Sequence, residues 1–153
     1  MRSVTSIAID APADRIYALA HDTLRWPAYL PHYRFVRLLE TRHGEQLVEM
    51  AARRGWIPVR WTALQRNDAR EPAIYFHHTS GWTKGMDVVW RFEPRDGGTQ
   101  VSIVHDVVFS LAFAPRWVEE WVVTKFFIEG IAARTLACFK RLAEDGRPVT
   151  SAQ

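Results

Sequence analysis

Cysteine is almost absent from this 153-residue chain, Cys138 being the one copy. A lone cysteine excludes an internal disulfide and a zinc site built on cysteines. It falls inside a helical pattern and reads as a small buried hydrophobe. Lysine is nearly as scarce. Lys84, Lys125 and Lys140 are three of 20 basic residues, and the rest are arginine. The basic residues form no run, acidic ones are interspersed, and the formal net charge is only +3. That is the pattern of a solvated surface and not of a nucleic-acid-binding face. No stretch approaches the ~18 uninterrupted apolar residues of a membrane span. Residues 1–10 lack the apolar core of a signal peptide. A soluble, cytoplasmic protein is therefore expected. No spacing of His, Cys, Asp or Glu resembles a zinc or HExxH site, so no metal is expected.

What the chain does have is apolar and aromatic. Hydrophobic residues make up 48% and charged ones 24%, values of an ordinary globular protein. The length fits one domain with a proper core. A single domain over residues 1–146 and a short flexible tail over 147–153 are expected. Seven Trp and eight Phe are many for this length. They must be buried or face a ligand.

Residues 4–10 alternate around Ile7 and Ile9 as a short strand. Pro12 suits the start of a helix carrying Ile16, Tyr17, Leu19 and Ala20. Trp26 to Pro31 forms an apolar segment of about one helical turn. From Tyr33 the period becomes two. Strands are predicted over 33–41, 46–54, 56–65 and 73–79, then around Met86 to Phe92 and Val101 to Phe109. His43-Gly44, Gly55, Ser80-Gly81 and residues 94–98 supply the turns. Trp61 and Ala63 share one face of their strand. Met86, Val88, Trp90 and Phe92 share another, as do Val101, Ile103, His105 and Val107.

The last long segment, Pro115 to Glu144, reads as one helix of about eight turns. Pro115 fits its first position and Gly146 its stop. Trp117, Trp121, Thr124, Ile128, Ile131, Thr135, Phe139 and Leu142 follow one another at steps of three and four. Val123 and Phe126 are apolar on the charged side, and Phe127 lies near its edge. They predict cover by the first helix or an oligomer contact. The expected class is α+β. A curved antiparallel sheet of about seven strands, one N-terminal and six in a meander, wraps around the closing helix. Two short helices follow the first strand. The aromatic excess predicts a lined cavity between helix and sheet.

Ile9, Pro12, Ile16, Tyr17, Asp22, Trp26, Pro27 and Tyr33, with Trp61, Trp90 and the closing helix ending in Phe139 to Leu142, resemble the helix-grip proteins. These form the START and Bet v 1 superfamily. The resemblance covers nearly the whole chain. It points to the branch of polyketide aromatase/cyclases and coenzyme-Q-binding proteins. It implies a cavity in which a poly-β-ketone is folded, closed by an aldol step and dehydrated without a cofactor. Trp26, Tyr33 and Trp61 match that pattern. The arginine those enzymes carry four positions after the Trp61 equivalent is Gln65 here, and the small hydroxyl residue two after it is Ala63.

His105 is in phase with Val101, Ile103 and Val107, so it faces the cavity as a core histidine or as a general acid or base. His77 and His78 point to opposite faces. Parity with Tyr75 favours His77 inside. Tyr33 orients a ligand carbonyl or closes a core hydrogen bond. Thr124 and Thr135 interrupt the inner helix face and can bond helix carbonyls. Arg53 and Arg54 stand near the rim. The expected catalytic set is Tyr33, His77 and His105. The expected lining is Trp26, Tyr29, Trp61, Gln65, Tyr75, Trp90, Trp121, Thr124 and Ile128. The expected partners are a hydrophobic small molecule and an acyl carrier protein, in a monomer or homodimer. The alternative is a carrier of a quinone, lipid or polyketide that does no chemistry.

Overall fold

A computed structural model of the chain describes residues 2–107 and 115–145, without the side chains at 119, 122, 123, 126 and 127. Phe109, Gly146, the tail 147–153 and the side chains of Val123, Phe126 and Phe127 thus lie outside the described residues. The strands are β1 (Arg2–Ile9), β2 (Tyr33–Arg42), β3 (Glu45–Arg54), β4 (Ile57–Asp68), β5 (Ala73–Ser80), β6 (Asp87–Arg95) and β7 (Gly98–Asp106). Between β1 and β2 come α1 (Ala13–Ala20), a 3-10 turn (Thr23–Arg25) and α2 (Trp26–Tyr29). The closing helix has three parts: α3 (Arg116–Val122), a π-helical segment (Val123–Ala132) and α4 (Ala133–Asp145).

The seven strands form one antiparallel sheet in the order β1-β7-β6-β5-β4-β3-β2. The chain meanders from β2 to β7, and β1 pairs with β7 at the far edge. Register shifts at Tyr33/Phe35 and Leu38/Glu40 in β2 and at Thr62/Ala63 in β4 interrupt the ladders. Such bulges bend strands, which suits a sheet wrapped on a helix. The expected fold class holds.

Alternation decides which residues face the helix. In β6, Val88, Trp90 and Phe92 are buried; in β7, Val101, Ile103 and His105 are. Their polar neighbours turn outward, as Asp87, Arg91 and Asp106 do. In β5 Ile74, Phe76 and His78 are buried in alternation, with Ala73 buried at the strand's start.

Trp26 stands where the two layers meet. Its indole N–H donates to the Ala20 carbonyl at 2.9 Å. Its ring lies 5.1 Å from Tyr33, 5.5 Å from Trp90 and 5.9 Å from Phe139. The helical connection is tied down by Gln65 of β4. Its amide donates to the His21 carbonyl at 2.8 Å and accepts from Thr23 Oγ1 at 2.6 Å. At the other end Lys140 Nζ donates to the Ala8 carbonyl at 2.8 Å, and Glu144 accepts from the Asp10 N–H at 2.9 Å. These contacts fasten α4 to β1.

The π segment overturns part of the predicted helix stripe. An i→i+5 ladder holds about 4.4 residues per turn in place of 3.6, so ten residues lag by about half a turn. Trp117 and Trp121 are accordingly exposed, at 70% and 55%. Ile128, Ile131, Thr135, Phe139 and Leu142 stay buried.

Gly81, after β5, has φ +94°, and a Cβ there would stand 2.8 Å from the Arg60 carbonyl oxygen and 3.0 Å from Trp61 Cβ. Gly85, in the same loop, has φ +91° but open space around it. Gly81→Ala is therefore expected to cost about 2 kcal/mol or more, and Gly85→Ala about 1 kcal/mol. Urea unfolding of both variants checks this; equal midpoints would mean that the close approach at Gly81 carries no energy.

Candidate functional site

Between sheet and helix lies a cavity of about 50 Å³. At roughly 10–15 Å³ per water it holds only a few waters. Its walls are aromatic and sulfurous: Trp26, Trp61, Phe76 and Trp90, with Met50 and Met86. Its polar groups are Tyr33, His78, His105 and Thr135.

Strand register brings the two histidines together. Phe76 of β5 stands opposite Val88 of β6, and Val88 opposite His105 of β7. His78 is one in-phase step along β5 from Phe76. The two imidazoles therefore project from the same face, two strands apart across the sheet and two residues apart along it, or about 12 Å at the backbone. The His78 ring lies parallel to Trp61, with centroids 5.8 Å apart and 4° between the planes. Its Nδ1 is 2.7 Å from Thr83 Oγ1. His105 Nδ1 is buried without a hydrogen-bond partner among the described residues.

Behind Tyr33 sits a third buried histidine. His32 Nε2 is 2.8 Å from Thr135 Oγ1, and Thr135 donates to the Ile131 carbonyl at 2.8 Å. With the hydroxyl proton on Ile131, the bond to His32 takes its proton from Nε2. His32 Nδ1 is then a buried acceptor without a partner among the described residues. The self-satisfaction foreseen for Thr135 is thus only half of its bonding.

Burial fixes the protonation of these groups. It lowers His105 to about 4. His78 is lowered to about 3, first by burial and then by His105 and His77 nearby. Burial, with the Arg134 guanidinium, lowers His32 to about 4, against a small opposing effect of the Ile131 backbone. Burial also raises the Tyr33 phenol well above its usual range, with the Thr135 hydroxyl opposing. All four groups are neutral at pH 7.

Of the residues expected from sequence, Trp26, Tyr33, Trp61, Trp90 and His105 line this cavity. Others do not. His77 points outward and pairs with Asp87 at 2.7 Å. The burial of Ile74 and Phe76 sets the phase of β5 and turns His78 inward in its place. Tyr75 follows His77 to the outer face, where Arg66 lies 4.1 Å over its ring. Gln65 is buried, but its amide is consumed by Thr23, the His21 carbonyl and Asn67. Tyr29 is half-buried with its hydroxyl toward Arg25. Trp121 is rotated into solvent. Thr124 is half-buried and Ile128 is core, and neither reaches the cavity wall. Sequence reasoning missed His78, His32 and Thr83. The phase of Ile74 and Phe76 was signal enough for His78; nothing local marks the other two.

A curved antiparallel sheet closed on a long helix, with an apolar cavity between them, is a helix-grip fold. The chain belongs to the polyketide cyclase / dehydrase and lipid transport family, whose sequence pattern matches residues 9–129. It is 28% identical over 155 residues to the granaticin polyketide synthase bifunctional cyclase/dehydratase of Streptomyces violaceoruber, a match covering 97% of this chain and 45% of that relative. The chain thus spans less than half the length of that protein. Among solved structures, the Zhui aromatase/cyclase from Streptomyces sp. R1128 superposes with a TM-score of 0.74 at 21% identity, covering 95% of this chain and 98% of that one. The di-domain ARO/CYC BexL from the BE-7585A biosynthetic pathway gives 0.80 at 23% identity, covering 97% of this chain and 51% of that one. At these identities the two structures show a shared fold. No helix among the described residues is long and apolar enough to cross a membrane.

Three histidines that are neutral when folded and ordinary when unfolded make stability depend on pH. Their folded values lie below the unfolded value near 6.5, so the unfolded chain binds protons first. Stability is then full above about pH 6.5 and falls toward pH 4, by about 1.4 kcal/mol per pH unit for each histidine. Urea titrations from pH 7.5 to 4.5 read the slope. His105→Gln is expected to flatten it by one group's share; an unchanged slope would mean that His105 is solvated in the native state.

Proposed function

We propose that the protein holds a polyketide-type ligand, a chain of alternating ketones, between helix and sheet and promotes its aldol cyclisation and dehydration. The carrying observation is the pair of neutral histidines, His78 and His105, on one face of an aromatic cavity beside the Tyr33 phenol. Such methylenes are acidic enough for a neutral imidazole to take a proton. His105 is the base. The enolate carbon so formed attacks a ketone carbon further along the chain. The new alkoxide oxygen takes a proton from Tyr33 or His78. The His105 imidazolium returns its proton to that donor, and His105 then takes a second methylene proton and passes it to the hydroxyl, which departs as water and leaves a ring double bond. Electrons and atoms balance without a redox partner. Negative charge on the enolate stabilises imidazolium beside it. Trp26, Trp61 and Trp90 offer flat apolar surface to the ring that forms.

The cavity is small for such a ligand, since ligand pockets usually measure ~300–1,000 Å³. Met50 and Met86 are unbranched and adaptable, so the wall they make can yield. An acyl carrier protein is the expected donor of the chain, with Arg53 and Arg54 at the rim to meet it.

One observation favours a second reading, binding without turnover. Gln65 stands where the cyclases carry arginine and has no free amide hydrogen to offer. Ala63 has no hydroxyl.

A synthetic poly-β-ketone thioester separates the two readings. Wild type is expected to speed appearance of aromatic product. His105→Ala is expected to lose about 10²-fold or more of that rate while still quenching tryptophan fluorescence on binding the aromatic product. Tight binding without acceleration by wild type would leave carriage as the function. Neither binding nor acceleration would remove both readings.

A further inference from the structure

The loop between β5 and β6 is bolted to the backbone of His78. The His78 N–H donates to the Met86 carbonyl at 2.9 Å, the Gly85 N–H donates to the His78 carbonyl at 2.8 Å, and the Met86 N–H donates to the Thr83 carbonyl at 2.9 Å. Gly81 presses the start of the loop against Arg60 and Trp61. This frame sets Thr83, 1% exposed, against the ring it faces. Thr83 Oγ1 lies 2.7 Å from His78 Nδ1. The parallel Trp61 indole holds the plane of that ring.

The protons can be counted. A threonine hydroxyl has one, and a neutral imidazole has one. Among the described residues the Thr83 hydroxyl has no hydrogen-bond partner besides His78 Nδ1. Were Nδ1–H the donor, the hydroxyl proton would be left buried and unbonded, and Nε2 would reach the cavity as a bare acceptor. With the hydroxyl as donor, Nδ1 is satisfied and the ring proton sits on Nε2. Buried donors without acceptors are rare because burial removes the water that would otherwise serve them. The second arrangement is the one the loop selects.

We propose that Thr83 is a positioning residue that fixes His78 as its Nε2–H tautomer, making His78 the donor that holds a ligand carbonyl oxygen as negative charge develops on it. His105 Nδ1 has no such partner among the described residues, and the role of base falls to this histidine. The division of roles rests on the ketone-ligand reading above: one histidine donates to oxygen while the other accepts from carbon. Thr83 touches no ligand and acts only through His78.

Long-range proton–nitrogen NMR of 15N-histidine protein at pH 7.5 reads the tautomer directly, with His78→Gln assigning the signals. In wild type, His78 Nδ1 is expected in the unprotonated range and Nε2 in the protonated range. Thr83→Val, similar in shape but without the hydroxyl, is expected to shift His78 to a mixture or to the Nδ1–H form, and Thr83→Ser to restore Nε2–H. On the poly-β-ketone thioester, Thr83→Val is expected to lose about tenfold or more in kcat with little change in KM, and Thr83→Ser to recover it. A wild-type His78 found as Nδ1–H overturns the proposal, and that spectrum decides even if Thr83→Val does not fold. So does a Thr83→Val protein that keeps the tautomer, or one that changes it with turnover intact. If wild type shows the Nε2–H form but turns over no ketone, the cyclase reading fails and the assignment of Thr83 stands.

Discussion

The hydrogen bond from the Trp26 indole to the Ala20 carbonyl is the constraint on which the site depends. The chain leaves β1 at one edge of the sheet and must enter β2 at the other. It crosses as short helices, and short helices end with unpaired backbone groups. One of these, at Ala20, is buried with the core. The indole satisfies it and commits the ring to the centre of the fold. Tyr33, Trp90 and Phe139, from β2, β6 and α4, then pack on that ring. Burying a tryptophan this fully is worth about 3 kcal/mol or more. The polar clamp of Gln65, Thr23 and the His21 carbonyl keeps the connection from lifting away. The cavity is what the large rings leave between them.

Into this apolar setting the chain places three histidines and a tyrosine. Among the described residues none has the charged partner that would make an ionised form cheap in such surroundings. Each is instead held neutral, and the three histidines give up stability at acid pH as a result. Sequences depart from the local rule of an apolar interior mainly where function asks for it. Two of the histidines face the cavity. The third, His32, supports Thr135 from behind and links β2 to α4. The polar atoms therefore form two sets, one that a ligand can meet and one that holds the walls.

The fold was legible because its signals repeat. β7 alternates over its whole length and β6 from Asp87 to Glu93, Gly44, Gly55, Gly81, Gly85 and Gly97 take positive φ in the turns, and the closing helix has a long apolar stripe. The site was legible only in part. His105 followed from its phase with Val101 and Ile103. The same logic applied to Ile74 and Phe76 would have chosen His78. Tyr75 misled because an aromatic ring can lie on the outer face under an arginine. Gln65 misled because a position matched to a family pattern says nothing about where its hydrogen bonds are spent. Thr83 and His32 were beyond reach. Their partners are set by a loop conformation and by a contact 103 residues distant, neither of which leaves a periodic trace.

The π segment explains why the helix contributes less to the chemistry than its tryptophans promised. A uniform α-helix would carry Trp117 and Trp121 on the stripe of Ile128 and Phe139, over the cavity. The wider turns rotate them away and leave Ile131, Ala132 and Thr135 as the helix side of the wall. Gly130 is part of the same fit. A Cβ there would stand 2.5 Å from Arg54 Nε and 2.7 Å from its Cδ, so the arginine stem at the end of β3 lies directly on the helix backbone. The segment is thus shaped to the sheet rim, and π turns are often found at functional sites. Chemistry and size are separated between the layers. The sheet supplies both cavity histidines, and the strands keep them in fixed register. The helix, through its irregular middle turns and small residues, sets how much space those histidines share.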